Sequence, residues 1–182
     1  YQMQENTTYY IEVEDTNRIT ADDAGYAGSY TGWNPTISTI ESEPNDTNLT
    51  ATPMPSAEWF PLGTAPADVY QRIHGMAPTG DSDWFRIEGP DVGGLTGRYL
   101  TVETLAEQAG SLADVAINVY NSTGAVLIAS ATDDGFTNDP LLLNAPLPST
   151  PYLFVEIISE SSGAYDDANS WFSLIYVTDS PL

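Results

Sequence analysis

Two short acidic segments hold the residue types in this sequence that could bind a metal. The first begins at Glu41 with the letters ESEPNDT, and the second begins at Gly80 with the letters GDSDWF. The candidate ligands are Glu41, Glu43, Asn45, Asp46, Asp81 and Asp83. Calcium takes about six to eight oxygen ligands, supplied by carboxylates, amide carbonyls and backbone. The two segments, folded against each other, would form a calcium site, although two solvated turns capped by Asn and Asp would have the same composition.

The sequence offers little to a catalytic mechanism. His74 is the only histidine, it lies in an apolar segment that reads as a strand, and no G-x-S-x-G nucleophile motif accompanies it. Zinc sites usually need several His or Cys, and the chain has no cysteine. A pair of carboxylates could hydrolyse a glycoside, but with 26 acidic residues no sequence feature selects one pair. We therefore predict that the protein is not an enzyme.

Acidic doublets and tryptophans are weaker candidates for binding. The doublets could hold further cations, although such pairs are more typical of exposed loop tips; they are Asp22-Asp23, Asp133-Asp134 and Asp166-Asp167. Trp84 and Trp171 begin strong strands and are predicted to lie in the core. Trp33 and Trp59 lie in polar segments that contain proline, and we predict that they make exposed contacts, for example by stacking on sugars.

Four N-x-S/T sequons make surface glycans another expectation. The sequons at Asn6, Asn48 and Asn121 are the predicted glycosylation sites. The fourth, at Asn45, would compete with calcium binding by the same side chain.

The segments that must position these residues read as β-strands, because β-branched and aromatic residues alternate with polar ones and Gly, Pro, Asn and Asp punctuate them. The predicted strands are Tyr9–Glu14, Val69–Gly75, Trp84–Glu88, Tyr99–Thr104, Val115–Tyr120, Ala125–Ala129, Leu141–Asn144, Tyr152–Ile158 and Phe172–Thr178. Short strands with frequent turns predict an all-β sandwich. Leu105–Leu112 is the one segment that fits a helical turn or a long loop.

The first 40 residues differ from the rest, since one strand is followed by a segment without an apolar face. We predict an N-terminal arm over residues 1–40 and a compact sandwich over residues 41–182. The sequence shows no internal repeat of solenoid period.

The charge of the chain limits its partners. Four arginines, no lysine and 26 acidic residues give a net charge of −22. Nucleic acids and anionic membranes are bound through Lys and Arg, so both are excluded as partners. No segment approaches the roughly 20 apolar residues of a membrane span. We expect a mature, secreted protein of the cell surface or extracellular space whose leader has been removed.

The order of the motifs resembles the bacterial pre-peptidase C-terminal (PPC) domain. The resemblance rests on ESEPNDT, then IHG at Ile73, then GDSDWF, followed by a hairpin from Asp114 to Gly124 and strands at Pro151–Glu156 and Phe172–Val177. It implies a jelly-roll-like sandwich that serves binding, targeting or solubility in exported proteins. The collagen-binding members hold calcium with the first motif, which implies ligands at Glu41, Glu43, Asn45 and Asp46, with Asp81 and Asp83 at the acidic positions of the second. Their collagen-contacting aromatics do not align with this sequence.

The N-terminal strand suggests how such a module could act without a catalytic domain. An isolated strand cannot bury its apolar face alone. The strand, with Tyr9, Tyr10, Ile11 and Val13, would pair with its own sandwich or with an open edge of another copy, and head-to-tail repetition of the second kind gives a fibre. We therefore expect a structural or adhesive subunit that assembles with itself. The alternative is a carbohydrate- or protein-binding accessory domain of a secreted hydrolase.

Overall fold

The computed structural model describes residues 39–56, 59–62, 68–90, 94–107, 111–133, 138–160 and 170–182. These ranges contain eleven strands. They are β1 (Thr39–Ile40), β2 (Thr52–Met54), β3 (Phe60–Pro61), β4 (Val69–Met76), β5 (Ser82–Glu88), β6 (Tyr99–Leu105), β7 (Val115–Tyr120), β8 (Leu127–Ala131), β9 (Leu141–Pro146), β10 (Tyr152–Ser159) and β11 (Ser170–Thr178).

Two sheets pack face to face, which confirms the predicted all-β sandwich. One sheet has the order β1-β4-β11-β6-β9, with β3 also paired to β4, and the other has the order β2-β5-β10-β7-β8. From β4 to β11 the chain crosses to the other sheet at every connection except the β7–β8 hairpin, which is the winding of a jelly roll. The long strands pair antiparallel, whereas β1 runs parallel to β4 and β2 runs parallel to β5.

The core lies between the sheets, and strands such as β4 and β11 alternate buried and partly exposed residues along their length. In β4 every second residue from Val69 is buried, and in β11 every second residue from Trp171 is buried. Phe85 and Trp171, from opposite sheets, meet edge to face with ring centroids 5.8 Å apart. This layer fixes which side chains of each strand point inward.

The predicted strands within the described ranges all form, with boundaries that move by up to two residues. Val115–Tyr120 is observed as predicted, whereas the predicted Ala125–Ala129 strand runs instead over Leu127–Ala131. Strands β1, β2 and β3 were not predicted, because two or three residues are too few to show alternation. The predicted strand Tyr9–Glu14 lies outside the described residues.

The chain divides into two compact units, Tyr1–Ile37 and Ser38–Leu182. The second unit contains all of the strands named above, and it begins just before β1. Within the described ranges, no helix is long and apolar enough to cross a membrane.

Candidate metal centre

Strand β5 places Asp83 inside the protein. Asp83, Phe85 and Ile87 alternate along the strand and are all buried, so the carboxylate shares its face with core residues. Its Oδ2 atom accepts a hydrogen bond of 3.2 Å from the indole Nε1 of Trp171 on the opposite sheet. A carboxylate that is only 1% exposed needs a compensating partner, because burial of a charge in a medium of low polarity is costly.

The segment after β1 brings the first acidic motif to Asp83. The backbone N–H of Glu41 donates to the His74 carbonyl, and the Glu41 Oε1 atom accepts from the backbone N–H of Met76, both at 3.1 Å. Asn45 is fully buried, and its carbonyl accepts from the backbone N–H of Trp84 at 3.0 Å. These bonds hold the first acidic motif against β4 and β5, and so place it next to the second acidic motif.

Three carboxylates converge at this point. One oxygen from each of Glu41, Glu43 and Asp83 lies within 4.8 Å of the other two. Calcium binds oxygens at about 2.3–2.6 Å, so two oxygens that share one ion are separated by at most about 5 Å. The spacing therefore fits a single calcium ion held between the three side chains.

The side-chain amide of Asn45 supplies a fourth group. With its nitrogen donating to Thr52 Oγ1 at 3.4 Å, its oxygen faces the Glu43 and Asp83 carboxylates. With the amide reversed, its nitrogen donates to Glu43 Oε2 at 3.2 Å and to Asp83 Oδ1 at 3.1 Å. The first orientation presents four oxygens to a cation. In the second, the amide nitrogen donates hydrogen bonds to the two carboxylates, which suits the site when no cation is bound.

The crowding of like charges changes the protonation of the cluster. Burial, followed by the charge of Glu41 and a hydrogen bond to it, raises the pKa of Asp83 far above its ordinary value, and the charges of Asp81 and Glu43 add to the shift. Without a cation, Asp83 and Glu41 therefore share a proton at neutral pH. A divalent ion would displace that proton and relieve the repulsion.

Asp81 and Asp46 lie at the margin of the cluster. Asp81 Oδ1 accepts from the backbone N–H of Ser82 at 3.1 Å, whereas its Oδ2 is buried and has no hydrogen-bond partner among the described residues. Burial and then the charge of Glu43 raise the pKa of Asp81, and the charge of the exposed Asp46 adds to this. The described geometry thus groups Glu41, Glu43, Asn45 and Asp83, while Asp81 and Asp46 contribute negative charge beside them.

Gly75, the last residue of the IHG motif, is a part of this site that the sequence analysis did not assign to it. A Cβ atom at position 75 would clash with Glu41 Oε2 and lie 2.7 Å from the Trp171 ring. Glycine inside a strand often marks a close approach, which was the available signal. The missing side chain makes room for the Glu41 carboxylate.

A second acidic group lies elsewhere on the sandwich. One oxygen from each of Asp114, Asp133 and Glu160 lies within 4.8 Å of the others, but Asp133 and Glu160 are exposed. Burial, followed by the charge of Asp133, raises the pKa of Asp114. Asp133 belongs to one of the predicted doublets; Asp22, Asp23, Asp134, Asp166 and Asp167 lie outside the described residues.

The tryptophans only partly follow the prediction. Trp171 is in the core, as predicted, and Trp84 is buried, although it lies on the outer face of its sheet and stacks on Tyr120 with centroids 4.8 Å apart. Trp59 is half-buried against the core and donates from Nε1 to the Glu88 carbonyl at 2.9 Å. Trp59 is therefore less exposed than predicted, because its indole N–H bonds to a partly buried backbone carbonyl. Trp33 lies outside the described residues.

The predicted glycosylation sites have different surroundings. Asn48 Nδ2 donates to the Thr123 carbonyl at 3.0 Å and packs over Gly124. Asn121 Oδ1 accepts from the backbone N–H and the hydroxyl of Thr123, which leaves its amide nitrogen without a bond to a described residue. Asn45 is buried and inaccessible to a glycan in the folded state. Asn6 lies outside the described residues.

A buried network around Glu156 also escaped the sequence analysis. Glu156 accepts hydrogen bonds from Ser82 Oγ at 2.7 Å, Tyr120 Oη at 2.9 Å and Asn118 Nδ2 at 3.1 Å. Burial, followed by a hydrogen bond to Glu156, raises the pKa of Tyr120. With three donors on one carboxylate, the network is satisfied internally.

His74 lies on β4, as predicted, where burial lowers its pKa and favours the neutral imidazole. Comparison of the chain with protein-family models and with curated proteins gives no match in either case.

Proposed function

We propose that the protein is a non-enzymatic, extracellular structural or adhesive module of the PPC kind that binds calcium and assembles with itself. The convergence of Glu41, Glu43, Asn45 and Asp83 is the observation that supports calcium most directly. All four offer oxygen, which calcium prefers, and none offers the nitrogen or sulfur typical of zinc. Carboxylates, bidentate modes and water would together complete a coordination number of six to eight.

The place of the site in the fold supports a structural role for the ion. Glu41 follows β1 of one sheet, and Asp83 lies on β5 of the other. An ion bound to both would tie the two sheets together at one side of the sandwich. Because a partly buried cluster of like charges, with Glu43 at its exposed side, is unfavourable without a cation, calcium would stabilise the folded state by mass action.

Calcium titration of the intact chain tests this proposal. We expect isothermal calorimetry to show one high-affinity site for calcium, with magnesium much weaker because Mg²⁺ demands stricter octahedral geometry. Glu43→Gln should weaken this binding, whereas Asp133→Asn, in the exposed second group, should leave the high-affinity site unchanged. Calcium binding that is unaffected by Glu43→Gln would refute the assignment.

An adhesive or structural role also fits the surroundings of the aromatic residues. Trp59 is half-buried against the core, and Trp84 is buried beside Tyr120 and Phe154, so both offer less ring surface to a sugar than an exposed indole would. This disfavours the alternative of a carbohydrate-binding accessory domain at those two residues. A neutral His74 on a strand gives no support to a hydrolase.

Assembly is proposed to use the N-terminal strand, Tyr9–Glu14, donated to another copy. The sandwich from Ser38 onward is a compact unit, so we expect it to fold when residues 1–37 are removed. In excess calcium, we expect the intact chain to sediment as a series of concentration-dependent oligomers and the shortened chain as a monomer. Oligomers that persist after the deletion would refute donation of this strand.

A further inference from the structure

Thr52 lies beside the metal centre without being one of its ligands. It is the first residue of β2, and its parallel pairing with Phe85 fixes its backbone next to β5, the strand that carries Asp83. Its side chain is only 5% exposed and lies on the same face of the strand as the fully buried Met54. The position of the Thr52 hydroxyl is therefore set by the pairing of β2 with β5.

The Thr52 hydroxyl oxygen accepts hydrogen bonds from two residues of the first acidic motif. The backbone N–H of Ser42 donates to it at 3.1 Å, and Asn45 Nδ2 donates to it at 3.4 Å. A threonine hydroxyl has two acceptor sites and one proton to donate. The first acidic motif thus fills both acceptor sites, and the hydroxyl proton remains available to an acceptor.

The same hydroxyl can also serve the reversed amide of Asn45. A half-turn about the Cβ–Cγ bond exchanges the amide oxygen and nitrogen, so the oxygen would take the place of the nitrogen, 3.4 Å from Thr52 Oγ1. The hydroxyl would then donate to that oxygen, while the nitrogen donates to Glu43 Oε2 at 3.2 Å and to Asp83 Oδ1 at 3.1 Å. The reversed orientation therefore satisfies the amide without a cation, whereas the first orientation needs a cation at the amide oxygen.

The groups around the amide are held in place, so the amide itself has to respond to a cation. Asp83 Oδ2 accepts from Trp171 Nε1 at 3.2 Å, and Glu43 Oε2 accepts from the backbone N–H of Asn45 at 3.0 Å. Asn45 is fully buried, and its carbonyl accepts from the backbone N–H of Trp84. In a close-packed interior, a half-turn of the amide needs the least additional space, because its oxygen and nitrogen are nearly equal in size.

We infer that Thr52 is a positioning residue of the metal centre, whose hydroxyl holds the Asn45 amide in two alternative orientations. In calcium the amide oxygen faces the ion and the hydroxyl accepts a hydrogen bond from the nitrogen. Without calcium the nitrogen faces the carboxylates and the hydroxyl donates to the oxygen. The inference rests on the calcium site proposed above and adds the residue that orients one of its ligands. A side chain that could only donate, or only accept, would support one orientation alone.

Nuclear Overhauser effects of the Asn45 side-chain amide test the reversal, because the amide protons face Thr52 in only one orientation. The intact chain, prepared with isotope-labelled asparagine, is measured in a chelator and in saturating calcium. We expect an effect between the Asn45 amide protons and the Thr52 methyl group in calcium, and its loss in the chelator. The control is Asn144 on β9, whose amide bonds to Leu182 and should give the same effects in both solutions.

The outcome of this measurement separates the inference from the proposed function. If calorimetry shows calcium binding but the Asn45 amide contacts the Thr52 methyl equally in both solutions, the reversal is refuted and the calcium site stands. A chain that does not bind calcium overturns both. The measurement needs no substitution, so it decides the question even if a variant at position 52 does not fold.

The calcium affinity of two variants tests the role of the hydroxyl. Thr52→Val keeps the branched shape of the side chain but leaves the amide without this partner in either orientation. A buried N–H without a partner is less tolerated than a buried C=O, so the loss falls mainly on the calcium-bound orientation. We expect the dissociation constant of calcium to rise about tenfold in Thr52→Val.

Thr52→Ser is the matched control, since it keeps the hydroxyl and should bind calcium as tightly as the original chain. A Thr52→Val chain that is less stable but binds calcium with unchanged affinity would show a structural role only, and would refute the inference. Equal weakening by Thr52→Ser would also refute it, because the loss would then follow from the shape of the side chain and not from the hydroxyl.

Discussion

Replacing Asp83 by asparagine separates the charge of this residue from its packing. Asn has nearly the same size as Asp, and its side-chain oxygen can still accept the hydrogen bond from Trp171 Nε1. Its amide nitrogen can donate to the Glu41 carboxylate in place of the proton that Asp83 and Glu41 share. The substitution therefore removes one negative charge from the calcium-bound cluster, replaces the shared proton in the calcium-free cluster, and leaves the surrounding core intact.

The substitution should lower the stability of the calcium-bound protein and raise that of the calcium-free protein. With calcium at about 100 times its dissociation constant, the ion stabilises the fold by about 2.7 kcal/mol, or roughly 5–10 °C in melting temperature for a domain of this size. A hundredfold loss of affinity in Asp83→Asn would leave only about 0.4 kcal/mol of that gain. Without calcium, the variant should be more stable than the original chain at neutral pH, because its folded state does not have to take up a proton at position 83.

The pH dependence of the calcium-free chain follows from the raised pKa of Asp83. The folded state holds a proton there that the unfolded state has lost above an ordinary aspartate pKa. The stability that this proton gives the folded state is therefore complete at low pH. It is lost as the pH rises towards the pKa of Asp83 in the folded state. Between about pH 5 and pH 8, the free energy of unfolding of Asp83→Asn, relative to that of the calcium-free original chain, should rise by at most about 1.4 kcal/mol per pH unit.

Thermal unfolding in a chelator and in 1 mM calcium measures all of these effects. The control is Asp133→Asn, which also removes one carboxylate charge but lies in the exposed second group. An original chain that melts at the same temperature with and without calcium would refute the metal site. An Asp83→Asn variant that keeps the full calcium gain would refute Asp83 as a ligand.

Three further predictions concern the same cluster and the far end of the sandwich. Calcium binding should release a proton, so calorimetry should show the dissociation constant falling by up to about tenfold per pH unit between about pH 6 and pH 8. Gly75→Ala should lower the free energy of unfolding, measured by thermal unfolding, by about 1–3 kcal/mol, because its Cβ would occupy the space of Glu41 Oε2. For the same reason it should remove most of the stabilisation by calcium. Arg98→Met should lower the free energy of unfolding in denaturant by about 2–4 kcal/mol, since the buried Arg98 donates to two backbone carbonyls. Asp179→Asn should lower it by less than about 1 kcal/mol, because the Asp179 side chain in the ion pair with Arg98 is 60% exposed. Equal costs for these last two changes would contradict the unequal burial on which the prediction depends.

Local patterns in the sequence determined most of the strands. Alternation of apolar and polar residues indicates which residues of a strand share a face. Such alternation is a local property that can be read from a few consecutive residues. The strand Val115–Tyr120 could be read in this way. The same alternation could also have placed Trp84 opposite Phe85, on the outer face, although its aromatic character favoured the core.

The sequence also indicated which side chains could bind calcium, but not which of them converge. Oxygen-rich side chains before β2 and at the start of β5 are local features. The protonation of Asp83 depends on Glu41, which is distant along the chain and reaches it only because β1 pairs with β4 and Gly75 leaves room. Electrostatic interaction follows distance in space, so the shared proton follows from the packing of the two sheets.

The order of the strands was decided by the tertiary structure alone. The uncharged stretch around β8 is visible in the sequence, but nothing within it distinguishes a central strand from an edge. That distinction depends on which strands find partners across the sandwich, and the jelly-roll winding joins segments far apart in the chain. Long-range pairing therefore makes β8 an edge among the described strands.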